Sequence, residues 1–119
     1  MPFKRTLKEM LDRIPGSLGA IIVDWEGEAV DQVGRIDEYE LKVIGAHKGL
    51  ILDSMRRAVR RAEGNELEEI LITTSWRQTL ILPLDSEYFF VVTFENRRAM
   101  GRALFEARRC RQKLREEIA

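Results

Sequence analysis

The sequence has too few histidine and cysteine residues for common zinc or thiol chemistry. Its 119 residues contain a single histidine, His47, and a single cysteine, Cys110. A zinc site needs several such ligands, and a thiol nucleophile needs a base beside it, so we expect neither within one subunit. Because a disulfide framework needs pairs of cysteines, Cys110 is predicted to be a free thiol on a helix, which favours a cytoplasmic location.

An excess of one charge and a long apolar run are both missing. Twenty Lys and Arg residues balance twenty Asp and Glu residues, so there is no long-range field to attract nucleic acid or an anionic membrane. The longest apolar runs, 20–23 and 89–92, are far shorter than the roughly 20 residues that span a bilayer. The N-terminal segment carries Lys4, Arg5 and Lys8 and has no apolar signal core. We therefore expect a cytoplasmic protein without membrane insertion or a nucleic-acid partner.

Signatures of an enzyme are missing as well. The phosphate-loop pattern, two glycines separated by four residues and followed by lysine and a hydroxyl residue, does not occur, so the chain is not expected to bind GTP itself. The acidic residues in 66–69 and 116–117 lie at predicted element ends, where water solvates their charge. His47 is expected at a helix surface or interface and not as a base. We predict no catalytic residue, no cofactor and no metal site.

What is present is a clear order of helices and strands. Apolar residues at helical spacing begin at Phe3 and continue to Ile14, and Pro15 with Gly16 ends this first helix. Gly27 can take the positive φ of a hairpin turn between the first two strands. The predicted strands are 18–24, 28–33, 67–74, 78–84 and 88–95.

Capping residues set the limits of the other two helices. Asp37 and Glu40 have the spacing of a capping box at the start of a long middle helix, 38–62, and Gly64 with Asn65 closes it. Asn96 is predicted to cap a last helix that continues almost to the end of the sequence. The element order is therefore helix, two strands, helix, three strands, helix, and residues 1–119 are predicted to form one domain.

The strand patterns predict how these elements pack. The first and fifth strands are apolar on both faces, so helices must cover the sheet above and below. The second strand carries Asp31 and Gln32 between apolar residues, which suits a sheet edge. We expect the first and last helices to share one face and the middle helix to cover the other.

The middle helix has more apolar surface than one sheet contact uses. Val43 and Leu50 point away from the predicted core face, and Gly45 and Gly49 lie on a flank where another backbone can come close. We interpret this as a second packing surface for a subunit or partner, in preference to incidental surface residues. Lys48 falls near the centre of the core face, which is explained only if its amine reaches solvent. The predicted core face comprises Leu41, Ile44, Ile51, Leu52, Met55, Val59 and Ala62.

The sequence resembles the roadblock family, named after a dynein light chain and found also in bacterial regulators of Ras-like GTPases. The resemblance lies in the element order, in residues 15–24 (PGSLGAIIVD) followed by Gly27, and in the small residues Gly45, Ala46 and Gly49 of the middle helix. It implies an α/β (α+β) fold of order α-β-β-α-β-β-β-α around a five-stranded antiparallel sheet, related to longin and profilin-like folds. It also implies a non-catalytic homodimer, built through the middle helices and third strands, that docks a small Ras-like GTPase and adjusts its nucleotide cycle by activating hydrolysis or by scaffolding.

Two sets of site residues follow from this interpretation. Arginines at the end of the middle helix favour the negative pole of its dipole, and they are also suited to an acidic GTPase surface or even to an arginine-finger role. The predicted GTPase contacts are His47, Arg56, Arg57 and Arg60. The predicted dimer interface comprises Val43, Ala46, Gly49, Leu50, Ser54 and Leu71.

Three further expectations complete the interpretation. The many arginines of the last helix are expected to be solvated, or else to meet an acidic partner. Trp25 and Trp76 lie in predicted turns, where each is either exposed for contact or folded onto the core. The alternative functions are a small-molecule sensory domain with a ligand between sheet and helix, and a nucleotide-independent adaptor of a motor or polarity complex.

Overall fold

The computed structural model describes residues 3–119 and has the predicted order of elements. A short 3₁₀ turn precedes the last helix, where Asn96 accepts a hydrogen bond from the backbone N–H of Arg98 at 3.0 Å. The helices are α1 (Phe3–Asp12), α2 (Glu38–Glu63) and α3 (Met100–Ile118), and the strands are β1 (Ser17–Asp24), β2 (Ala29–Gly34), β3 (Ile70–Thr73), β4 (Gln78–Pro83) and β5 (Tyr88–Phe94).

The five strands form one antiparallel sheet in the order β2-β1-β5-β4-β3. The edge position predicted for β2 is confirmed, and β5 lies at the centre, where Phe90 pairs with Ile22 on one side and Leu82 on the other. Gly27 closes the β1–β2 hairpin with φ of 95°, a backbone conformation that glycine adopts without steric cost. Among residues 3–119, β3 pairs with β4 alone, so its outer edge carries backbone groups that no strand in this range uses.

Two helices cover one face of the sheet and one helix covers the other, as predicted. Side chains alternate along each strand, so neighbouring residues of β1 such as Ile21 and Ile22 enter different cores. Ile22 packs beneath α1 and α3 in a large cluster that includes Phe90 and Phe94. Ile21 packs beneath α2 in a smaller cluster that includes Phe89. The sheet is therefore buried on both faces, but more heavily on the α1/α3 face.

The helix limits have the predicted causes. The Asp37 carboxylate accepts from the backbone N–H of Glu40 at 3.2 Å, which satisfies one free donor of the first turn of α2. At the other end Gly64 takes the left-handed conformation, with φ of 68°, and its N–H donates to the Arg60 carbonyl.

The third strand is shorter than predicted, 70–73 in place of 67–74. Residues 68 and 69, which were predicted to belong to the strand, contact α3 instead of pairing with β4. Arg111 donates to the Glu68 carbonyl at 2.8 Å, and Arg108 forms an ion pair with the Glu69 carboxylate. The prediction followed hydrophobic pattern alone, and long-range contacts from arginines about 40 residues later in the sequence decide the boundary.

Cys110 is a buried free thiol on α3, as predicted. Burial raises its pKa to about 12, because a thiolate there would lose hydration. We expect the native thiol to react with a disulfide reagent on the order of a thousandfold more slowly than in the unfolded chain, since the thiolate is the reactive form. Stopped-flow assays at mildly alkaline pH, with and without guanidinium chloride, measure this ratio. Equal rates in the two states would contradict the buried environment.

Candidate functional site

The two glycines of α2 face the protein's own sheet. A Cβ added to Gly45 would lie 2.8 Å from Val23 Cγ2, and one added to Gly49 would lie 2.7 Å from Phe89 Cζ. Both distances are shorter than any normal carbon contact, so the missing side chains let α2 approach β1 and β5. The interpretation that these glycines make room for another chain is therefore wrong, and the basis for placing Gly49 in a dimer interface is removed.

The sheet-facing side of α2 is rotated towards these glycines. Leu41 and Leu52 of the predicted core face are fully buried, whereas Met55 is 44% exposed and Ala62 is exposed. Ile44, Ile51 and Val59 are half-buried. Glycine adds nothing to a hydrophobic pattern, so the pattern missed the part of the helix that approaches the sheet most closely.

The outer side of α2 carries an apolar stripe that no described residue covers. Leu50 is 73% exposed, Val43 is 48% exposed, and Ala46 and Ser54 lie exposed beside them. Tyr39, 74% exposed one turn before Val43, extends the stripe towards the start of the helix; sequence reasoning missed it, although its spacing fits. The predicted interface residues of α2 other than Gly49 thus lie together on one exposed surface.

Leu71 of β3 does not share that surface. It is 40% exposed and pairs with Leu80, whose side chain lies in the cluster beneath α1 and α3. Directly paired residues point to the same face of a sheet, so Leu71 faces the α1/α3 side. Ile70 and Ile72 are the β3 residues that pack on the α2 side. The parts of β3 that lie next to α2, and could contribute to an interface there, are its open backbone edge and these two isoleucines.

Of the arginines at the end of α2, Arg56 is held within the fold. Its guanidinium stacks 3.8 Å from the centre of the Trp25 ring and donates to Asp53 at 3.3 Å. Trp25 in turn packs on Phe89 with ring centres 5.0 Å apart, so this tryptophan is folded onto the core. The side chain is 20% exposed, so the GTPase contact predicted for Arg56 would require its guanidinium to leave Trp25 and Asp53.

Arg57 and Arg60 remain on the surface. Arg57 is 73% exposed and forms an ion pair with Asp53 at 3.0 Å. Arg60 donates two bonds to the Glu66 carboxylate, at 2.8 Å from Nη2 and 3.0 Å from Nε. Such exposed pairs contribute little to stability, so either guanidinium can exchange its partner for one on another protein.

His47 is exposed on α2, as predicted, and its Nδ1 lies 3.0 Å from Lys48 Nζ. Lys48 is half-buried, which agrees with a stem that packs while the amine reaches outwards. Burial and the nearby Arg77 guanidinium both lower the pKa of this lysine. The positive charge of Lys48 is therefore unfavourable where it lies.

Several arginines of α3 are structural and not simply solvated. Glu106 is buried, at 3% exposure, with guanidinium nitrogens of Arg13, Arg102 and Arg109 within 4.0 Å of its carboxylate. Arg115 donates to the Leu84 carbonyl at 2.7 Å. These contacts, with those of Arg108 and Arg111 described above, connect α3 to α1, to the β4–β5 turn and to the segment before β3. The composition of α3 gave no sign of the contacts that join it to other elements, because those partners are distant in the sequence.

Among residues 3–119 no group of three or more acidic, histidine or cysteine side chains is placed to hold a metal ion. No helix within that range combines the length and apolarity needed to cross a membrane. The surface features that stand out are the α2 stripe and the β3 edge.

The architecture, a five-stranded antiparallel sheet with one helix on one face and two on the other, is that of roadblock and profilin-like domains. The Roadblock/LC7 domain model matches residues 4–94, and the chain belongs to that family. Among curated proteins, no sequence matches the chain significantly.

Solved structures agree with this assignment. MglB of Myxococcus xanthus superimposes with a TM-score of 0.88 at 13% identity, covering 99% of this chain and 95% of that one. A Roadblock/LC7 domain from Streptomyces avermitilis gives 0.87 at 13% identity, covering 96% and 95%. LokiProfilin2, in its complex with rabbit actin, gives 0.57 at 15% identity, covering 95% of each chain. At such identities the similarity establishes the fold.

Proposed function

We propose that this protein is a homodimeric regulator of a small Ras-like GTPase, without catalytic chemistry of its own. The observation that carries the proposal is the exposed apolar stripe of α2, beside an unpaired β3 edge, in a chain of the roadblock family. Membership of that family is associated with regulators of Ras-like GTPases. The two halves of the proposal, dimer formation and GTPase binding, are tested separately.

Dimer formation is proposed because the exposed stripe of α2 leaves apolar surface in contact with water. Tyr39, Val43 and Leu50 leave large apolar areas in water, and contiguous patches of this kind typically mark interaction sites. In a twofold dimer the same stripe meets its own copy, so one set of residues covers two surfaces. Antiparallel pairing of two β3 edges would also extend the sheet across the dimer and satisfy the free backbone groups.

The GTPase half rests on the exposed basic groups near this stripe. Arg57 and Arg60 stand on the C-terminal part of α2, and His47 stands one turn before Leu50. Paired α2 helices would present these groups to the switch regions of a GTPase and hold the switches in an ordered arrangement. Arg56 is left out of this contact, because Trp25 and Asp53 already hold its guanidinium.

Nucleotide-dependent capture tests GTPase binding. We expect the immobilised protein to retain a small GTPase from host lysate in the presence of a non-hydrolysable GTP analogue and to lose it with GDP, because switch regions differ between the two states. Mass spectrometry identifies the retained protein. Equal retention with both nucleotides would contradict regulation and favour the nucleotide-independent adaptor, and retention of no GTPase would defeat the proposal.

Arg57 gives a sharper version of the same test. Arg57→Gln should weaken binding of the captured GTPase by about tenfold or more, since a contributing interface arginine is commonly worth over 1.4 kcal/mol. Arg5→Gln is the matched control, because Arg5 is exposed on α1 at the opposite face of the sheet. Titration calorimetry with the purified GTPase measures both variants. Identical affinities for the two would exclude Arg57 from the contact surface.

A further inference from the structure

A recess lies between the first half of α2 and the turn that joins β3 to β4. Its volume is about 170 Å³, below the range of about 300–1,000 Å³ usual for drug-sized ligands. The recess is lined by Glu40, Ile44, Lys48, Ile72, Thr74, Trp76, Arg77 and Thr79.

Arg77 is the unusual member of this lining. Its side chain is only 9% exposed, and its guanidinium stacks 3.4 Å from the centre of the Trp76 ring. Nη2 donates to the Glu40 carboxylate at 3.3 Å, but the buried Nε and Nη1 donors have no hydrogen-bond partner among residues 3–119. Leaving donors of a buried charged group unpaired costs several times what a normal hydrogen bond contributes.

The charges around the recess do not balance. Lys48 and Arg77 supply two positive charges, and Glu40, itself 43% exposed, supplies one negative charge. The lowered pKa of Lys48 has the same origin, because burial and Arg77 both disfavour its ammonium form. An added anion would pair with both cations and remove this cost.

The remaining walls select the kind of anion. Ile44 and Ile72 give the recess two apolar walls, and both pack against the hydrophobic cluster beneath α2. Thr74 and Thr79 complete the lining. Phosphate is polar on every side and would lose hydration where it meets the two isoleucines. A carboxylate on a short aliphatic carrier matches both halves, with its oxygens at Arg77 and Lys48 and its carbon atoms at the isoleucines.

We propose that this recess is a carboxylate-binding site, in which Arg77 and Lys48 hold the carboxylate and Ile44 and Ile72 contact its aliphatic carrier. The carboxylate has two sources, a free small aliphatic acid or the acidic side chain of a second copy of this chain. The site lies beside α2 and β3, the elements of the proposed dimer, so both sources have access to it. The second-copy source rests on the proposed dimer, and neither source depends on a GTPase.

Butyrate titration tests the free-acid source. In two-dimensional NMR of the full-length protein, the indole N–H of Trp76 and the Nε–H of Arg77 should shift with saturation as butyrate is added. Arg77→Gln should weaken this binding at least about tenfold, because it removes the charged hydrogen-bond donors of the site. Arg61→Gln, which removes an exposed arginine of α2, is the control and should leave it unchanged.

Sedimentation at several protein concentrations tests the second-copy source. If a partner copy fills the recess, butyrate will not bind to the dimer, and Arg77→Gln should raise the dimer dissociation constant at least about tenfold while Arg61→Gln does not. Lys48→Met retains the aliphatic stem and removes the charge. It provides a second test of the recess in case the Arg77 variant misfolds. It should weaken the same equilibrium in the same direction, with a native circular dichroism spectrum.

Each result decides the proposal. Saturable butyrate binding that requires Arg77 supports a free acid, and a dimer defect confined to the recess variants supports a carboxylate from the second copy. Equal effects of the Arg77 and Arg61 variants in both assays would overturn the proposal. Inorganic phosphate that binds as tightly as butyrate would also overturn it, because the isoleucines would then select nothing.

Discussion

Replacing Gly45 by leucine is expected to lower the free energy of unfolding by about 2 kcal/mol or more. The new Cβ alone would lie 2.8 Å from Val23 Cγ2 and 3.2 Å from Ile21 Cγ2. Both neighbours are β-branched and fully buried, so neither can rotate away at low cost. Inserting methylene groups into a packed core typically costs about 1–3 kcal/mol, and leucine adds four carbon atoms where the Cβ alone already overlaps, so the upper end or more is expected. The gain of about 1 kcal/mol in helix propensity offsets only part of it.

Thermal unfolding at fixed protein concentration measures this effect. A loss of about 2 kcal/mol should lower Tm by roughly 8 °C in a chain of this size. Gly101→Ala is the matched control, because Gly101 lies in α3 with open space where its Cβ would be. That variant should be neutral or stabilised by up to about 1 kcal/mol. If both variants were equally stable, α2 would not approach the sheet through Gly45.

Replacing Leu50 by arginine should convert the proposed dimer into a monomer without unfolding the protomer. Leu50 is 73% exposed in the protomer, so the variant loses little packing there. A leucine buried in an interface contributes about 1.5–3 kcal/mol, and a twofold interface contains it twice. The dimer dissociation constant should therefore rise about 100-fold to 10,000-fold. Two arginines facing each other add repulsion in the same direction.

Light scattering coupled to size exclusion gives the mass of each variant. Phe105→Arg makes the same kind of change on α3, where Phe105 is 60% exposed on the other layer of the protein. It should leave the dimer mass unchanged. An unchanged mass for the Leu50 variant, with a dimeric wild type, would remove the α2 stripe from the interface.

Sequence patterns predicted the layers well. The alternation of residues along a strand and the 3.6-residue repeat of a helix both show which faces of an element are apolar. The strands that are apolar on both faces, β1 and β5, required helices above and below the sheet, and the polar residues of β2 placed it at an edge. Local chemistry also predicted the caps, since Asp37 and Asn96 act on donors within three residues. These features depend on neighbours in the sequence, so a single sequence contains them.

The errors concern contacts between distant residues. Gly45 and Gly49 were assigned to a partner because an absent side chain does not indicate which neighbour uses the space. The exposure of the two tryptophans also depends on contacts that the sequence does not show. Trp25 folds onto Phe89, which is distant in the sequence, whereas Trp76 remains 66% exposed with the Arg77 guanidinium stacked on its ring. The recess at Arg77 had no signal in the sequence at all, because its members come from α2, β3 and the following turn.

The unequal burial of the two sheet faces has a consequence for how this protein can change. Eighteen buried residues among those described form the cluster beneath α1 and α3, and seven form the cluster beneath α2. Substitutions on the outer side of α2 therefore leave the greater part of the folding free energy untouched. Over generations that helix can acquire new partners by changing a few outward residues, while the opposite layer maintains the fold.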